Sequence, residues 1–241
     1  MRSLAIIHQL DAGPGVFAEE ARNRGWAMDQ WLIPAGDSAP SDPLSYDAVF
    51  SFGGAMNADQ EAEHPWLRDE KKLLARLLDG GVPTMGVCLG SQLLAEAAGA
   101  PAVRASEPEI GWFDIDVTGE GAADPVIGGL SSRFEAFQWH SYRSALPQGA
   151  VKLAESPLAL QAYRVGDCAW GIQFHAEVSR TDAVSWAVNY AVDPDAMRIG
   201  IDPDLLSAQI LERIGEWNLL GRGICARFLA VAEAAPGPTS I

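Results

Sequence analysis

The 241-residue chain lacks any apolar run long enough to cross a bilayer. Its longest, such as SLAII and AVFSF, are strand-sized, far short of the roughly 18 residues a spanning helix needs. The N-terminal MRSLAIIHQLDAGPG carries one Arg and too short an apolar stretch for a secretory leader, so it reads as a first strand, and a cytoplasmic protein is expected. Cysteine is scarce. Cys88, Cys168 and Cys225 are an odd number without CxxC spacing, which argues against a disulfide framework and a zinc site and leaves reduced thiols, one of which can be reactive. Positive charge is short as well: 17 Lys and Arg against 32 Asp and Glu give a formal charge of −15 with no basic cluster, so neither a nucleic acid nor an anionic membrane is an expected partner. No His/Cys/Asp spacing marks a metal site, no GxxxxGK[ST] loop marks a bound nucleotide, and no cofactor is expected.

What is present is a chain with 48% hydrophobic residues, enough to bury a sizeable core. Strand-like and helix-like segments alternate through the first half: SLAIIHQ, AMDQWLI, YDAVFSF, the helical HPWLRDEKKLLARLLDGG and then VPTMGV. That helix places Leu67, Leu74, Leu77 and Leu78 on one face, tolerates Pro65 at its start and stops at Gly80-Gly81. The alternation predicts βαβ units around a parallel sheet. From about residue 110 short strands follow: EIGWFDIDV, RFEAFQWH, VKLAES, LALQAYRV and CAWGIQFH, some of them antiparallel additions to the same sheet. After Arg180 the chain turns helical in TDAVSWAVNYAV, DPDLLSAQILERIGEWNLL and GRGICARFLAVAEAA, before a Pro/Gly/Ser tail expected to fray. The expected architecture is a three-layer α/β sandwich of flavodoxin-like type with a mostly parallel central sheet. A domain over residues 1–190 carries a helical extension, 191–241, packed on it.

One pentapeptide stands out. GVCLG, residues 86–90, has the form of a nucleophile elbow, G-x-[Ser or Cys]-x-G, between a predicted strand and a predicted helix. Gly86 and Gly90 leave room for a tight turn that lifts the Cys88 sulfur clear of the backbone, and the helix N-terminus beneath it favours the thiolate. The plainer reading is a small buried cysteine between packing glycines. A nucleophilic thiol requires a base. His175 ends the apolar AWGIQFH, and Glu177, two residues on in an extended backbone, shares its side and can fix its tautomer. Cys88, His175 and Glu177 thus form a candidate triad at one edge of the sheet.

GVCLGSQ together with WGIQFHAE resembles the class I, triad-type glutamine amidotransferases, and most closely the free-standing domains similar to the amidotransferase part of GMP synthase. SFGGAMN, HPWLRDEKKLLARLLDGGVP, EIGWF and FQWHSYRSALPQGAVKLAES resemble the same group in the same order, over about residues 45–180. The resemblance implies that Cys88 attacks the side-chain amide carbon of glutamine, that His175 moves the proton, and that Glu177 orients and charge-stabilises His175. It implies an oxyanion hole from the Leu89 N–H and the Gly53-Gly54 turn, with Gly54 the preferred donor. Gln92 would help hold the amino-acid end of the substrate, and so would Trp139, His140, Ser141 and Tyr142 of the QWHSYR loop. The chain departs from the family pattern at Ala55, Ser91 and Ala176, none of them a catalytic position, and its HSY loop lacks the acidic residue that GMP-synthase-type members often have there.

The remaining histidines, His8 and His64, have no motif partner and read as structural or solvated. Cys168, inside a predicted strand, and Cys225, on a predicted helix, read as packing residues, and the many carboxylates as an acidic surface. Three functions are open. The first is an amidase that forms a γ-glutamyl thioester on Cys88 and hands ammonia to a separate synthase. The second is a stand-alone hydrolase of other γ-glutamyl amides or peptides. The third, a non-catalytic binding or regulatory homologue, is disfavoured by the intact triad.

Overall fold

Both faces of the first strand, β1 (Arg2–Ile7), are buried: Leu4 and Ile6 enter one apolar cluster, Ala5 and Ile7 the other. A strand buried on both sides requires helices above and below it. The computed structural model describes residues 1–235 and has that arrangement; the tail at 236–241, expected to fray, lies outside the described residues. One layer holds α1 (Gly15–Asn23), α5 (Arg180–Val188) and α7 (Pro203–Ala234), packed through Phe17, Ala183, Trp217, Ile224 and Phe228. The opposite layer holds α2 (Trp66–Asp79) and α3 (Leu89–Ala97), packed through Leu67, Leu74, Leu77, Leu93 and Leu94.

Between them lies a nine-stranded sheet of order β2-β1-β3-β4-β9-β8-β7-β5-β6. The strands are β2 (Ala27–Leu32), β3 (Ala48–Ser51), β4 (Thr84–Val87), β5 (Ala102–Val117), β6 (Arg133–Ser144), β7 (Val151–Glu155), β8 (Leu160–Val165) and β9 (Ala169–Ile172). From β2 to β9 neighbours run parallel; from β9 to β6 they run antiparallel. The parallel part matches the βαβ reading of the first half, and the antiparallel part matches the run of short strands after residue 110. The carboxyl ends of β3, β4 and β9 therefore emerge side by side, the position where open α/β sheets bind ligands.

Several local differences from the sequence reading have physical causes. The last two helical segments are one 32-residue helix, α7, continuous through Gly221 and Gly223. Gly221 is there for closeness: a Cβ on it would lie 2.0 Å from the Ala176 carbonyl oxygen. Asp202 caps this helix with Pro203 in its first turn, and the same Asp-Pro pairing at Asp193-Pro194 starts a short helix, α6 (Pro194–Ile199), not foreseen from the sequence. Leu78 is only partly buried, and Glu70 and Leu73 join the inner face of α2 instead. Cys168 lies in the turn before β9 rather than in a strand. The carboxylates are not all on the surface, since Glu70, Glu109 and Asp124 are buried.

Candidate active site

The turn from β4 into α3 is as tight as GVCLG suggests. Cys88 has φ 51° and ψ −109°, and it is the one non-glycine residue with positive φ among the described residues. Its N–H is held by the Ile172 carbonyl at 2.9 Å, and the Gly90 N–H by the Phe52 carbonyl at 3.0 Å, so the elbow is fastened to both neighbouring strand ends. Neither flanking glycine has room for a side chain: a Cβ on Gly86 would lie 2.5 Å from the Gly90 oxygen, and one on Gly90 would lie 2.0 Å from the Ser51 oxygen. Cys88 Sγ lies 3.8 Å from the Trp139 carbonyl oxygen and opens onto a cavity of about 390 Å³.

His175 and Glu177 lie in a bend beyond β9, which ends at Ile172, and not on the strand itself. Even so, Nδ1 of His175 is 2.8 Å from Oε1 of Glu177, both side chains being buried. The imidazole also lies beside Cys88: a Cβ on Gly53 would meet His175 Cε1 at 2.9 Å and Cys88 Cβ at 3.8 Å. Burial alone would disfavour the imidazolium, but the Glu177 carboxylate and the Cys88 sulfur outweigh it and push the His175 pKa up to about 10.

The bend is held from outside the sheet. Trp217 Nε1 of α7 donates to the His175 carbonyl at 2.8 Å, Asn218 donates to the Val178 carbonyl at 2.8 Å, and Trp186 of α5 sits edge-on to the imidazole at 4.8 Å. None of these three supports has a sequence signal; each is a helix residue whose partner lies about 10 to 40 positions away.

The other predicted positions gather around the same cavity. Gly54, Leu89, Gln92 and the 139–142 segment contribute to its wall together with Cys88 and His175. Among the described residues, no acceptor takes the backbone N–H of Leu89 or of Gly54, which leaves both free for a ligand. Gly53 lies behind the triad, where a Cβ would be 2.9 Å from Cε1 of His175. Gly53→Ala should therefore displace the imidazole and cut activity about tenfold or more with little change in melting temperature; steady-state rates beside a thermal melt check this.

Gln92 is buried and donates to the Tyr142 carbonyl at 3.1 Å and to Gln173 Oε1 at 3.2 Å, so it braces the 139–142 segment from behind. His140 turns its ring inward. Nδ1 is 2.9 Å from the Tyr142 oxygen; Nε2 is 3.0 Å from Glu109 Oε2 but outside hydrogen-bonding geometry. Ser141 and Asp195 line the same cavity, and Tyr142 Oη donates to Asp59 at 3.3 Å. Trp139 Nε1 donates to Asp193 at 2.8 Å, and that same aspartate caps α6. Arg104, bound to Asp195 at 2.6 and 2.8 Å, completes this side of the cavity. Arg104, Asp193 and Asp195 were not foreseen, because nothing in DPDAM tells a helix cap from a cavity wall.

A thiol on a strained turn, an imidazole held by a carboxylate and two free backbone donors are the parts needed for acyl transfer. Comparison with known proteins points the same way. Residues 18–188 match the family model described as glutamine amidotransferase class-I. The glutamine amidotransferase-like protein YfeJ of Salmonella typhimurium is 29% identical over 195 residues, 79% of this chain and 81% of its own. A glutamine-hydrolysing GMP synthase subunit of Sulfurisphaera tokodaii is 31% identical over 140 residues, 57% of this chain and 70% of its own. A crystal structure of a glutamine amidotransferase from Thermotoga maritima superimposes with a TM-score of 0.84 at 29% identity, covering 95% of this chain and 98% of that one.

Proposed function

Since this chain belongs to the glutamine amidotransferase class-I family, we propose that it hydrolyses the side-chain amide of glutamine through a γ-glutamyl thioester on Cys88 and releases the ammonia to a separate synthase. The observation that carries the reading is the placement of His175, bound to Glu177 at 2.8 Å, beside Cys88 in the wall of one cavity where two backbone N–H groups are free.

With its pKa raised to about 10, His175 holds the thiol proton before the attack, and in the first half-reaction Sγ adds to the amide carbon. The carbonyl oxygen becomes an oxyanion, which the N–H groups of Leu89 and Gly54 receive. His175 returns the proton to the departing nitrogen, the C–N bond breaks, and ammonia leaves. In the second half-reaction His175 deprotonates a water that adds to the thioester; the same donors receive the second oxyanion, and the C–S bond breaks to release glutamate and the thiol. The Glu177 carboxylate stabilises the imidazolium present in each half. A relative named as one subunit of a glutamine-hydrolysing GMP synthase supports an acceptor enzyme on another polypeptide.

One feature favours a second reading, hydrolysis of a larger γ-glutamyl amide without a partner. The cavity extends beyond the thiol to Asn189, Val192, Asp193 and Asp195, so the chain's own segment after α5 walls a volume of ligand size. Ammonia release from L-glutamine, and amine release from γ-glutamyl amides and peptides, each beside Cys88→Ser, separates the two. Cys88-dependent turnover of glutamine that rises when a synthase is added supports the first reading. Turnover of a γ-glutamyl amine or peptide by the chain alone, in preference to glutamine, supports the second. Absence of either from a chain whose Cys88 reacts with an electrophilic glutamine analogue, with and without a synthase, overturns both.

A further inference from the structure

His8 and Glu70 have no place in the chemistry above, yet both side chains are fully buried, directly behind the glycine turn. His8 follows β1. Its Nε2 is 2.7 Å from Glu70 Oε2 on α2, and its Nδ1 is 3.2 Å from the Gly53 carbonyl oxygen. Glu70 Oε1 accepts from Ser51 Oγ at 2.6 Å, and the Trp66 ring stacks on the imidazole at 5.1 Å and 14°. Both ring nitrogens thus face acceptors, an arrangement that a doubly protonated imidazole satisfies. Burial opposes that charge, but Glu70 outweighs it and raises the His8 pKa.

The consequence lies one bond away. No peptide bond in the described chain is cis, so the Gly53 C=O and the Gly54 N–H of one planar unit point in opposite directions. A donor that fixes the Gly53 oxygen on the β1 side fixes the Gly54 N–H toward the cavity. The next residue repeats the pattern: the Ala55 N–H donates to Gln9 Oε1 at 3.0 Å, and Gln9 is itself oriented by donating to Asp11 at 2.6 Å. The dipeptide His8-Gln9 therefore grips the turn on both sides of Gly54. Contact is close as well, since a Cβ on Gly54 would lie 2.9 Å from His8 Cβ.

We infer that His8, backed by Glu70, is a positioning residue that holds the Gly53–Gly54 peptide with its N–H turned toward the oxyanion formed at Cys88. This rests on the amidase reading of the site. Asn and Leu have the same branched shape, both abandon Glu70, and only Asn can still donate to the Gly53 oxygen, so His8→Asn against His8→Leu isolates the donor.

Two reagents then separate orientation from thiol reactivity. A chloroketone analogue of glutamine passes through an oxyanion as the thiol adds, whereas iodoacetamide alkylates the thiol without one. Relative to His8→Asn, His8→Leu is expected to lose about 10- to 100-fold in kcat and in chloroketone labelling, with KM within about threefold and iodoacetamide labelling unchanged. Equal kcat and chloroketone labelling in the two variants, or iodoacetamide labelling that falls in step, overturns the inference. Should His8→Leu not fold, His8→Phe takes its place as the variant without a donor. A parent protein that neither turns over a γ-glutamyl compound nor reacts with the chloroketone overturns the amidase reading and this inference with it. An active parent with an equally active leucine variant overturns this inference alone.

Discussion

Cys88→Ser should lower turnover of the best γ-glutamyl substrate by on the order of 10³-fold or more and leave the melting temperature nearly unchanged. The hydroxyl is a far weaker nucleophile at neutral pH than the thiol, and the change removes the group on which both half-reactions depend. The fold has little reason to notice. Serine inherits the same backbone angles, and its hydroxyl can donate to the Trp139 carbonyl that the thiol approaches at 3.8 Å. A second variant shows what the elbow costs. Positive φ on a residue with a Cβ stores about 1–3 kcal/mol, and glycine releases it. Cys88→Gly should therefore be inactive and at least as stable as the parent, as expected where function has kept a strained residue in place. Rates of ammonia or amine release with thermal melts on the three proteins provide the check. A serine variant within tenfold of the parent would move the nucleophile away from Cys88.

How much of this was legible before the structure depends on how local each cause is. The elbow was readable because its strand, its glycines and its helix are contiguous. The parallel sheet was readable because each βαβ unit carries its own apolar periodicity. His175 and Glu177 were readable as a pair although their backbone is a bend rather than a strand, since two residues of separation keep them within reach in either conformation.

What could not be read are contacts between distant segments. Glu70 sits in RDEKK, where one charge among five looks like part of a solvated helix face, and only the approach of β1 turns it inward toward His8. Gly221 in LLGRG looks like a helix break, whereas it is the place where α7 passes against Ala176. Trp217 and Asn218, four and three residues before it, then hold the carbonyls of His175 and Val178. The C-terminal helix thus shapes the active site by holding backbone carbonyls, a role that leaves no motif.

Glu177→Gln should cost about 10²- to 10⁴-fold in kcat by removing the charge that stabilises the imidazolium while leaving a side chain of the same shape. It should also change how stability depends on pH, with a sign that follows from His175. In the folded protein the imidazole pKa is raised to about 10: burial opposes the charge, and Glu177 first, then Cys88, overcomes it. In the unfolded chain it titrates near 6.5. A group that binds its proton more tightly when folded stabilises the fold fully below its unfolded pKa, and that contribution is lost as pH rises through the window to the folded value. The parent should therefore lose melting temperature between about pH 6.5 and 10. Without the carboxylate, burial is opposed by the Cys88 sulfur alone, the folded pKa of His175 falls, and the loss over the same window shrinks. Melting curves of the two proteins across that range test the assignment independently of any substrate. Parallel curves would mean that the 2.8 Å contact between Nδ1 and Oε1 does not hold the proton on His175, and the role of Glu177 would reduce to orienting the ring.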